Sequence, residues 1–373
     1  MPSEKEIIII GGSYAAIHAF KTLCGKKDTS LNITLISLSV HAFFNIATPR
    51  LIIEPEKTSQ AVFLLEDTLR KHANGIKFKF IKGHVISTVF KSQNIEVEVE
   101  GQIKDLKYDY LIIATGTRSD QKWMKVNENS DESINELKKL SEDVRAAESI
   151  AVVGAGPTGV EIAGELGFNF GKDKKITIYT GASGPLSLLG SKSSTTVTNL
   201  LKLANVCIVN NLKVDETHKV GNLQKLSLSD GSTKEFDLVV PTTGLKPNSD
   251  FIEDEYLDDN GYLVTDKTFR VKEHPEVIGL GDILALSNNT LVSFEYYQKQ
   301  VFKPTIENVI FGVKNSRLKE FNTPATTILV PVTKNRGLLL IYGWSFPSII
   351  ANFVVRVAKG KDYMLLQAAL YLA

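Results

Sequence analysis

Short apolar runs alternate along this chain with segments whose apolar residues recur at helical spacing, which is typical of a parallel sheet covered by helices. The clearest unit occupies residues 150–167. Its apolar run, Ile150–Val153, ends at Gly154, and helical spacing begins at Val160. Because a strand buried on both faces carries apolar residues without interruption, this run predicts an interior strand. We therefore predict an α/β fold.

The loop between this strand and helix is a complete G-x-G-x-x-G motif, made of Gly154, Gly156 and Gly159. In such a loop the first glycine permits the turn, the second admits a pyrophosphate close to the backbone, and the third lets helix and strand pack tightly. Free N–H groups at the start of the helix then bind phosphate. The motif, with Thr158, predicts a dinucleotide site; the alternative is a tight turn that binds nothing.

A second loop of this kind follows the apolar run Ile7–Ile10 near the start of the chain. Ser13 stands at the second glycine position and Ala16 at the third, where alanine is an accepted variant. The Ser13 hydroxyl could bond a phosphate oxygen where the backbone no longer approaches it. The loop consists of Gly11, Gly12, Ser13, Tyr14, Ala15 and Ala16.

Neither following strand ends in the acidic residue that binds the adenosine ribose about 20 residues beyond such a loop. The first of these strands, 32–38, carries Ser37 there, and the second, 175–180, carries Thr180. A hydroxyl replaces only one of the two contacts that a carboxylate makes with the ribose. The choice between NADH and NADPH therefore stays open.

An internal repeat links the two halves of the chain. Each half opens with a strand, a glycine loop, a helix and a second strand. Each also closes with an apolar strand and a small-residue turn, which is Ala114-Thr115-Gly116 in the first half and Thr243-Gly244 in the second. The repeat predicts two Rossmann-like dinucleotide-binding domains, followed by a small C-terminal α+β domain.

Composition narrows the class of protein further. The 373 residues are 43% hydrophobic and carry a net charge of +1, so no nucleic-acid partner is expected. Two cysteines without C-x-x-C spacing predict neither a redox disulfide nor a metal site. The first strand begins close to Met1, and no apolar run approaches the roughly 18 residues of a spanning helix. We expect an intracellular, cytoplasmic protein, with association to mitochondrial or other membranes left open.

The last segment, residues 353–373, combines an apolar face with Arg356, Lys359 and Lys361. This pattern is typical of a helix that makes peripheral contact with a membrane surface. The pattern also fits a surface for dimerisation or domain packing, and this second interpretation is preferred. The sequence leaves monomer and homodimer open.

Taken together, the motifs resemble those of two-dinucleotide-binding-domain flavoprotein reductases, and most closely the apoptosis-inducing-factor-like group, which includes ferroptosis suppressor protein and fungal relatives. The similarity covers nearly the whole chain. It is carried by the loop at 11–16, FFNIATPR at 43–50, ATG at 114–116, GAGPTGVEIAGEL at 154–166, TG and PN within 243–248, and IGLGD at 278–282. Such proteins are FAD-dependent oxidoreductases of the pyridine nucleotide-disulfide class.

The resemblance implies that the first loop holds the FAD pyrophosphate. Arg50 would contact FAD, the Val85 backbone would meet its adenine, and Asp282 would bond its ribitol or pyrophosphate. From spacing alone, Arg50 is equally well a surface arginine, and Asp282 is better explained as the N-cap of a following helix. Ser13 and Ser37 each remove a feature of strong FAD binding.

The Gly154 loop would hold NADH or NADPH, with Glu161 near the junction of nicotinamide and flavin. Lys122 and Lys125, just past the ATG turn, are candidate cations for tuning the flavin, although solvated linker lysines are the simpler interpretation. Hydride would pass from NAD(P)H to FAD and electrons onward to an external acceptor, for which the resemblance implies a quinone. The alternative function is a cell-death signalling flavoprotein with weak redox turnover.

These assignments divide the chain into three parts. Residues 1–120 and 241–292 would form a discontinuous FAD-binding domain. Residues 121–240 would form the NAD(P)H-binding domain, and residues 293–373 the C-terminal domain.

Overall fold

The computed structural model of the chain describes residues 4–28, 30–126, 128–286, 291–313, 318–323, 325–346 and 348–359. Its strands and helices alternate as the apolar pattern predicts. The strands, in chain order, are β1 (Lys5–Ile10), β2 (Leu31–Ser37), β3 (His41–Phe43), β4 (Val62–Leu64), β5 (Lys77–Lys82), β6 (His84–Val89), β7 (Asn94–Val99), β8 (Gln102–Lys107), β9 (Tyr110–Ile113), β10 (Thr117–Ser119), β11 (Ser149–Val153), β12 (Lys175–Tyr179), β13 (Val206–Val209), β14 (Val214–Val220), β15 (Leu223–Leu228), β16 (Thr233–Phe236), β17 (Leu238–Pro241), β18 (Leu245–Pro247), β19 (Arg270–Val271), β20 (His274–Gly279), β21 (Ile328–Thr333), β22 (Arg336–Ile341) and β23 (Trp344–Ser345).

The helices cover the faces of the sheets and connect their strands. A π-helical segment, Phe294–Gln298, joins the seventh helix to the eighth. The α-helices are α1 (Tyr14–Cys24), α2 (Thr48–Leu51), α3 (Leu65–His72), α4 (Ser130–Ala146), α5 (Pro157–Phe170), α6 (Ser191–Leu203), α7 (Leu291–Ser293), α8 (Lys299–Val309) and α9 (Ser348–Lys359). No helix within the described ranges is long and apolar enough to cross a membrane.

The first large sheet has the strand order β19-β20-β9-β1-β2-β5, and its strands are parallel except for β19 at one edge. The chain runs outward from β1 to β2 and β5, and then returns to the other side of β1 with β9 and β20. The order therefore reverses between β1 and β9, and ligands of such sheets bind beyond the carboxyl ends of the strands at this point.

The second large sheet repeats this arrangement with the order β13-β12-β11-β17, again parallel. Its β11 precedes the Gly154 loop as β1 precedes the Gly11 loop. Its β17 lies beside β11 as β9 lies beside β1. The predicted α/β fold with two Rossmann-like units is thereby confirmed.

A third layer is the antiparallel sheet β21-β22-β23 with α9 packed on β22. Strand β21 lies directly on α5, where a Cβ at Gly164 would come 1.7 Å from the Val332 carbonyl oxygen. Val330 and Val332 share one buried cluster with Ile150 and Val160 of the second unit. The C-terminal sheet therefore packs on the helix that follows the Gly154 loop.

The chain crosses between the two large units twice, and the two crossings are paired. Strand β10 leads out of the first unit, β18 leads back, and they run antiparallel with Arg118 opposite Lys246. The Arg118 guanidinium also donates to the Pro247 carbonyl oxygen at 2.7 Å. These crossings lie close to the predicted domain boundaries at residues 120 and 241, which stay a prediction.

The apolar residues over 78–89 predict one continuous strand, and this prediction is wrong in its continuity. The chain forms β5 in the parallel sheet and then β6 in the separate antiparallel sheet β6-β7-β8. The break falls at Gly83, where a Cβ would lie 2.8 Å from a Val97 methyl group. Both strands are half buried, so apolar residues recur on either side of Gly83. The sequence pattern therefore does not show where the chain passes from one sheet to the other.

Candidate functional site

A cleft of about 630 Å³ lies beyond the carboxyl ends of β1, β9 and β20. This volume falls in the range of roughly 300–1,000 Å³ that is typical of small-molecule and cofactor sites. The cleft brings together residues that are far apart in the sequence. Of the residues predicted to bind FAD or tune it, those that line it are Gly11, Gly12, Ser13, Tyr14, Ala15, Ser37, Val85, Ala114, Thr115, Gly116, Lys125 and Asp282.

The Gly11 loop forms a tight cradle against the turn after β9. Gly11 has φ +133°, and a Cβ there would lie 2.3 Å from the Ala114 carbonyl oxygen. A Cβ at Gly12 would lie 2.2 Å from the Ser37 hydroxyl oxygen. Only glycine fits either position without displacing backbone or the buried Ser37. Ser37 therefore occupies the space behind the loop as well as the predicted ribose position.

The helix that follows this loop presents its N-terminus to the cleft. Ser13 is the N-cap residue of α1, and its carbonyl oxygen accepts from the Ile17 N–H at 3.0 Å. The first turn contains no acidic side chain. The positive end of the helix dipole is thus available to an anion such as a pyrophosphate. Ala16, in contrast, is fully buried behind the loop.

An ion pair between Lys125 and Asp282 marks another part of the wall. The Lys125 ammonium lies 3.9 Å from the Asp282 carboxylate and donates to the Thr117 hydroxyl. Burial lowers the pKa of Lys125 and raises the pKa of Asp282, and in each case the partner's charge opposes the shift. The Lys125 side chain is only 17% exposed, whereas that of Asp282 is 48% exposed, so it is chiefly Lys125 whose charge is stabilised by its partner.

The neighbouring lysine behaves differently. Lys122 is half exposed and pairs with Glu132 on the surface, whereas the Lys125 side chain is only 17% exposed. The interpretation as a solvated lysine therefore holds for Lys122 and is wrong for Lys125.

Asp282 does not serve as the cap of a helix. The residues described after it, 283–286, form a turn and a β-bridge, and the next described helix begins at Leu291. The preceding Gly281 donates its N–H to the Gln298 side chain at 3.0 Å. This bond fixes the backbone at the end of β20, so that Asp282 lines the cleft.

Arg50 lies between the two units. Its guanidinium pairs with Glu54 at 2.6 Å and with the fully buried Glu165 of α5 at 3.6 Å. Its side chain is only 12% exposed, so the interpretation as a surface arginine is wrong. Among the described residues Arg50 is not part of the cleft wall, and its contact with FAD stays a prediction. Arg50 connects α2 of the first unit to α5 of the second.

The Gly154 loop has the geometry that its motif predicts. Gly154 has φ +104°, and a Cβ at Gly159 would lie 2.1 Å from the Gly154 carbonyl oxygen. Gly156 faces open space, and Thr158 beside it is half buried. The turn after β17 fixes the start of this loop, because the Thr242 hydroxyl donates to the Val153 carbonyl oxygen at 2.9 Å. It therefore leaves an open approach for a ligand at its second glycine.

Two further predicted residues belong to this second unit and lie outside the described walls of the cleft. Glu161 is half buried on the first turns of α5. Gly244 lies in the turn between β17 and β18, with φ +88° and open space around it. Thr180 uses its hydroxyl to donate to the Ala182 carbonyl oxygen at 2.6 Å. The assignment of Glu161 and Gly244 to a nucleotide stays a prediction.

Sequence reasoning missed several residues of the cleft wall. His41 and Asn45 line it, although only Arg50 was singled out from their segment. Asn45 accepts from the Tyr14 hydroxyl at 3.3 Å, and His41 is 2.7 Å from the Ser130 hydroxyl. Phe294 reaches the cleft from the π-helical segment. The polar residues of the FFNIATPR segment were a usable signal, whereas no local pattern pointed to Phe294.

The whole chain is also similar to known proteins. The sequence profile of the pyridine nucleotide-disulphide oxidoreductases matches residues 5–309. Oxidoreductase ptaL of Pestalotiopsis fici is 33% identical over 94% of this chain and 95% of its own length. Apoptosis-inducing factor homolog B of Dictyostelium discoideum is 25% identical over 97% of this chain and 95% of its own length.

Among solved structures, the sulfide:quinone oxidoreductase of Aquifex aeolicus superimposes with a TM-score of 0.74 at 16% identity, covering 98% of this chain and 92% of that one. At this identity the likeness supports the fold alone. The predicted resemblance to apoptosis-inducing-factor-like flavoproteins, with a fungal relative among them, is confirmed. The chain therefore belongs to the pyridine nucleotide-disulphide oxidoreductase family.

Proposed function

We propose that the chain binds FAD in the cleft of the first sheet and NADH or NADPH at the Gly154 loop, and that it transfers electrons from the nicotinamide to an external quinone. The observation that carries this proposal is the continuous cleft. It joins Ser37 and Val85, predicted to meet the adenosine half, to Lys125 and Asp282 at the ends of distant segments.

The residues of the cleft fit FAD in three respects. The cradle at Gly11 and Gly12 has no room for any Cβ, and such cradles let a pyrophosphate approach the backbone. The α1 N-terminus offers N–H donors without an opposing acid. Burial raises the pKa of the Asp282 carboxyl group. Hydrogen bonds donated by the hydroxyls of a ribitol chain would stabilise its ionised form.

Bound FAD supplies the redox chemistry, since it accepts a hydride and releases electrons one or two at a time. The contribution of the chain is to bind, orient and tune. Lys125 holds a positive charge in a partly desolvated wall, and such a charge stabilises negative charge that develops on a nearby ring. Phe294 offers an apolar surface on the same cleft.

The electron acceptor is proposed to be external because the two cysteines do not form a pair that could relay electrons. Cys24 is buried in α1, which follows the first strand of the first sheet, whereas Cys207 is exposed on β13 of the second sheet. A quinone is the acceptor that the resemblance to the apoptosis-inducing-factor-like group implies. The balanced reaction takes two electrons and a proton from NAD(P)H and one proton from solvent, and yields a quinol and NAD(P)⁺.

The proposal predicts a flavin spectrum that responds to nicotinamide. Purified protein should show flavin absorbance at about 450 nm, and anaerobic addition of NADH or NADPH should bleach this absorbance. Addition of a soluble quinone should then restore the colour. Bleaching without restoration would reject the quinone but retain the flavin. Protein that binds FAD but is bleached by neither nicotinamide would favour the signalling flavoprotein. Colourless protein that neither takes up added FAD nor oxidises NAD(P)H would overturn both functions.

Lys125 and Lys122 provide a matched test of tuning. Lys125→Met should lower the flavin midpoint potential and slow its reduction by NAD(P)H by about tenfold, because a buried cation beside the reduced ring is lost. Lys122→Met, which removes a surface ion pair worth about 0–1 kcal/mol, should leave both unchanged. The check is anaerobic titration and stopped-flow reduction of both variants. Equal behaviour of the two would remove Lys125 from the proposed mechanism.

A further inference from the structure

A group of large apolar side chains near the end of the chain is exposed to solvent. We call it the C-terminal apolar face. Trp344 is 79% exposed, Ile349 84% and Phe353 67%. Single exposed apolar residues are ordinary on protein surfaces, but a cluster of them marks a surface that something covers. The members of the face are Tyr342, Trp344, Ile349, Ile350, Phe353 and Val357.

The spacing along α9 explains how this face arises. Ile349, Phe353 and Val357 follow one another at intervals of four, so they lie on the same side of the helix. Ala351 and Val355 lie on the other side, where they are buried. Val355 packs close to β22, since a Cβ at Gly337 would lie 2.7 Å from it. The helix is thus apolar on both sides, and only one side has a protein partner within the described residues.

The chain segment that carries the face has charges of one sign. From Phe321 to Lys361 the sequence contains no aspartate or glutamate, whereas Lys334, Arg336 and Arg356 lie within this stretch. Arg336 and Arg356 are exposed. The net charge of the whole chain is only +1, so this segment departs from the rest of the protein. An apolar face with exposed aromatic residues and surrounding cations complements a bilayer that carries anionic headgroups.

We infer that the C-terminal apolar face docks on the surface of an anionic phospholipid membrane. A second copy of the chain fits the same face less well. Two-fold pairing would set the face against itself, and the segment 321–361 that carries it supplies cations but no acid to pair with them. Tyr and Trp, each an apolar ring with a polar tip, are favoured at the boundary between headgroups and acyl chains.

The position of the face gives docking a consequence for the proposed function. The Tyr342 hydroxyl lies near that of Tyr297 and raises its pKa, and Tyr297 belongs to the π-helical segment that also carries Phe294 of the cleft wall. A lipid-dissolved acceptor would therefore meet the protein next to the cleft. This last step rests on the proposed function, whereas docking itself does not.

Trp344 provides a direct reporter of docking. The chain has two tryptophans, and the other, Trp123, is 6% exposed. Adding vesicles of phosphatidylcholine with about one-third phosphatidylserine should shift the fluorescence to shorter wavelength and co-float the protein. Phosphatidylcholine alone should do neither, and high salt should reverse binding. Trp344→Phe should abolish the spectral shift.

Substitutions on the face and away from it complete the test. The double variant Ile349→Glu/Phe353→Glu should lose about tenfold or more of the vesicle binding and keep its thermal midpoint and FAD content. The control Ile103→Glu/Leu188→Glu alters two equally exposed apolar residues elsewhere and should bind as the unmodified chain does. Absence of binding to anionic vesicles would overturn the inference, as would equal binding to both vesicle types. A solution dimer that dissociates in the face variant and binds no vesicles would assign the face to a second copy.

Discussion

Asp282→Ala is expected to lower the FAD content of the purified protein more than Glu161→Ala does. Asp282 lines the cleft beside Lys125, whereas Glu161 lies on α5 outside its described walls. A hydrogen bond to a charged group contributes about 1.5–3 kcal/mol, which corresponds to a roughly 10- to 100-fold weaker affinity. The measurement is the ratio of flavin to protein absorbance after gel filtration, followed by titration of the apoprotein with FAD.

The loss should be a loss of binding rather than of folding. The Asp282 side chain is 48% exposed and its contact with Lys125 spans 3.9 Å, so this ion pair contributes only about 0–1 kcal/mol to folding. Removing the carboxylate should therefore leave the thermal midpoint of the apoprotein nearly unchanged at neutral pH. Asp282→Asn, which keeps the shape, should show the same separation. Greater FAD loss in Glu161→Ala would contradict the assignment of the two sites.

Gly164→Ala is expected to destabilise the protein strongly, although it places alanine in a helix. Alanine normally stabilises a helix interior by about 1 kcal/mol relative to glycine. Here the new Cβ would lie 1.7 Å from the Val332 carbonyl oxygen, so β21 must move off α5. The net loss should reach about 3 kcal/mol, which for a chain of 373 residues lowers the thermal midpoint by roughly 4 °C, measured by circular dichroism.

Gly156→Ala is the matched control for this substitution. Gly156 has φ −69° and open space where its Cβ would stand, so the thermal midpoint should be unchanged. The methyl group would instead hinder a pyrophosphate at the loop, and the affinity for NAD(P)H should fall. If both variants melted alike, the close approach of β21 to α5 would not be a determinant of stability.

Features that depend on neighbours in sequence were predictable. A strand that ends at a glycine and continues as a helix constrains its own loop, because the turn, the helix start and the buried strand are all local. The Gly11 and Gly154 loops and the two sheets that they serve were predicted on this basis and lie where expected. The repeat of that unit determined the two Rossmann-like folds, since each sheet is assembled from the same local pieces.

Features that depend on which side chains meet across the fold required the tertiary structure. Lys122 and Lys125 stand three positions apart in the same linker, and only burial beside Asp282 distinguishes the second from the first. Arg50 has its partner in Glu165, on a helix of the other unit. The sequence states which residues are charged, but packing between distant segments sets the environment of each charge. Packing therefore determines whether a charged side chain lines a cleft, pairs with another helix or is solvated.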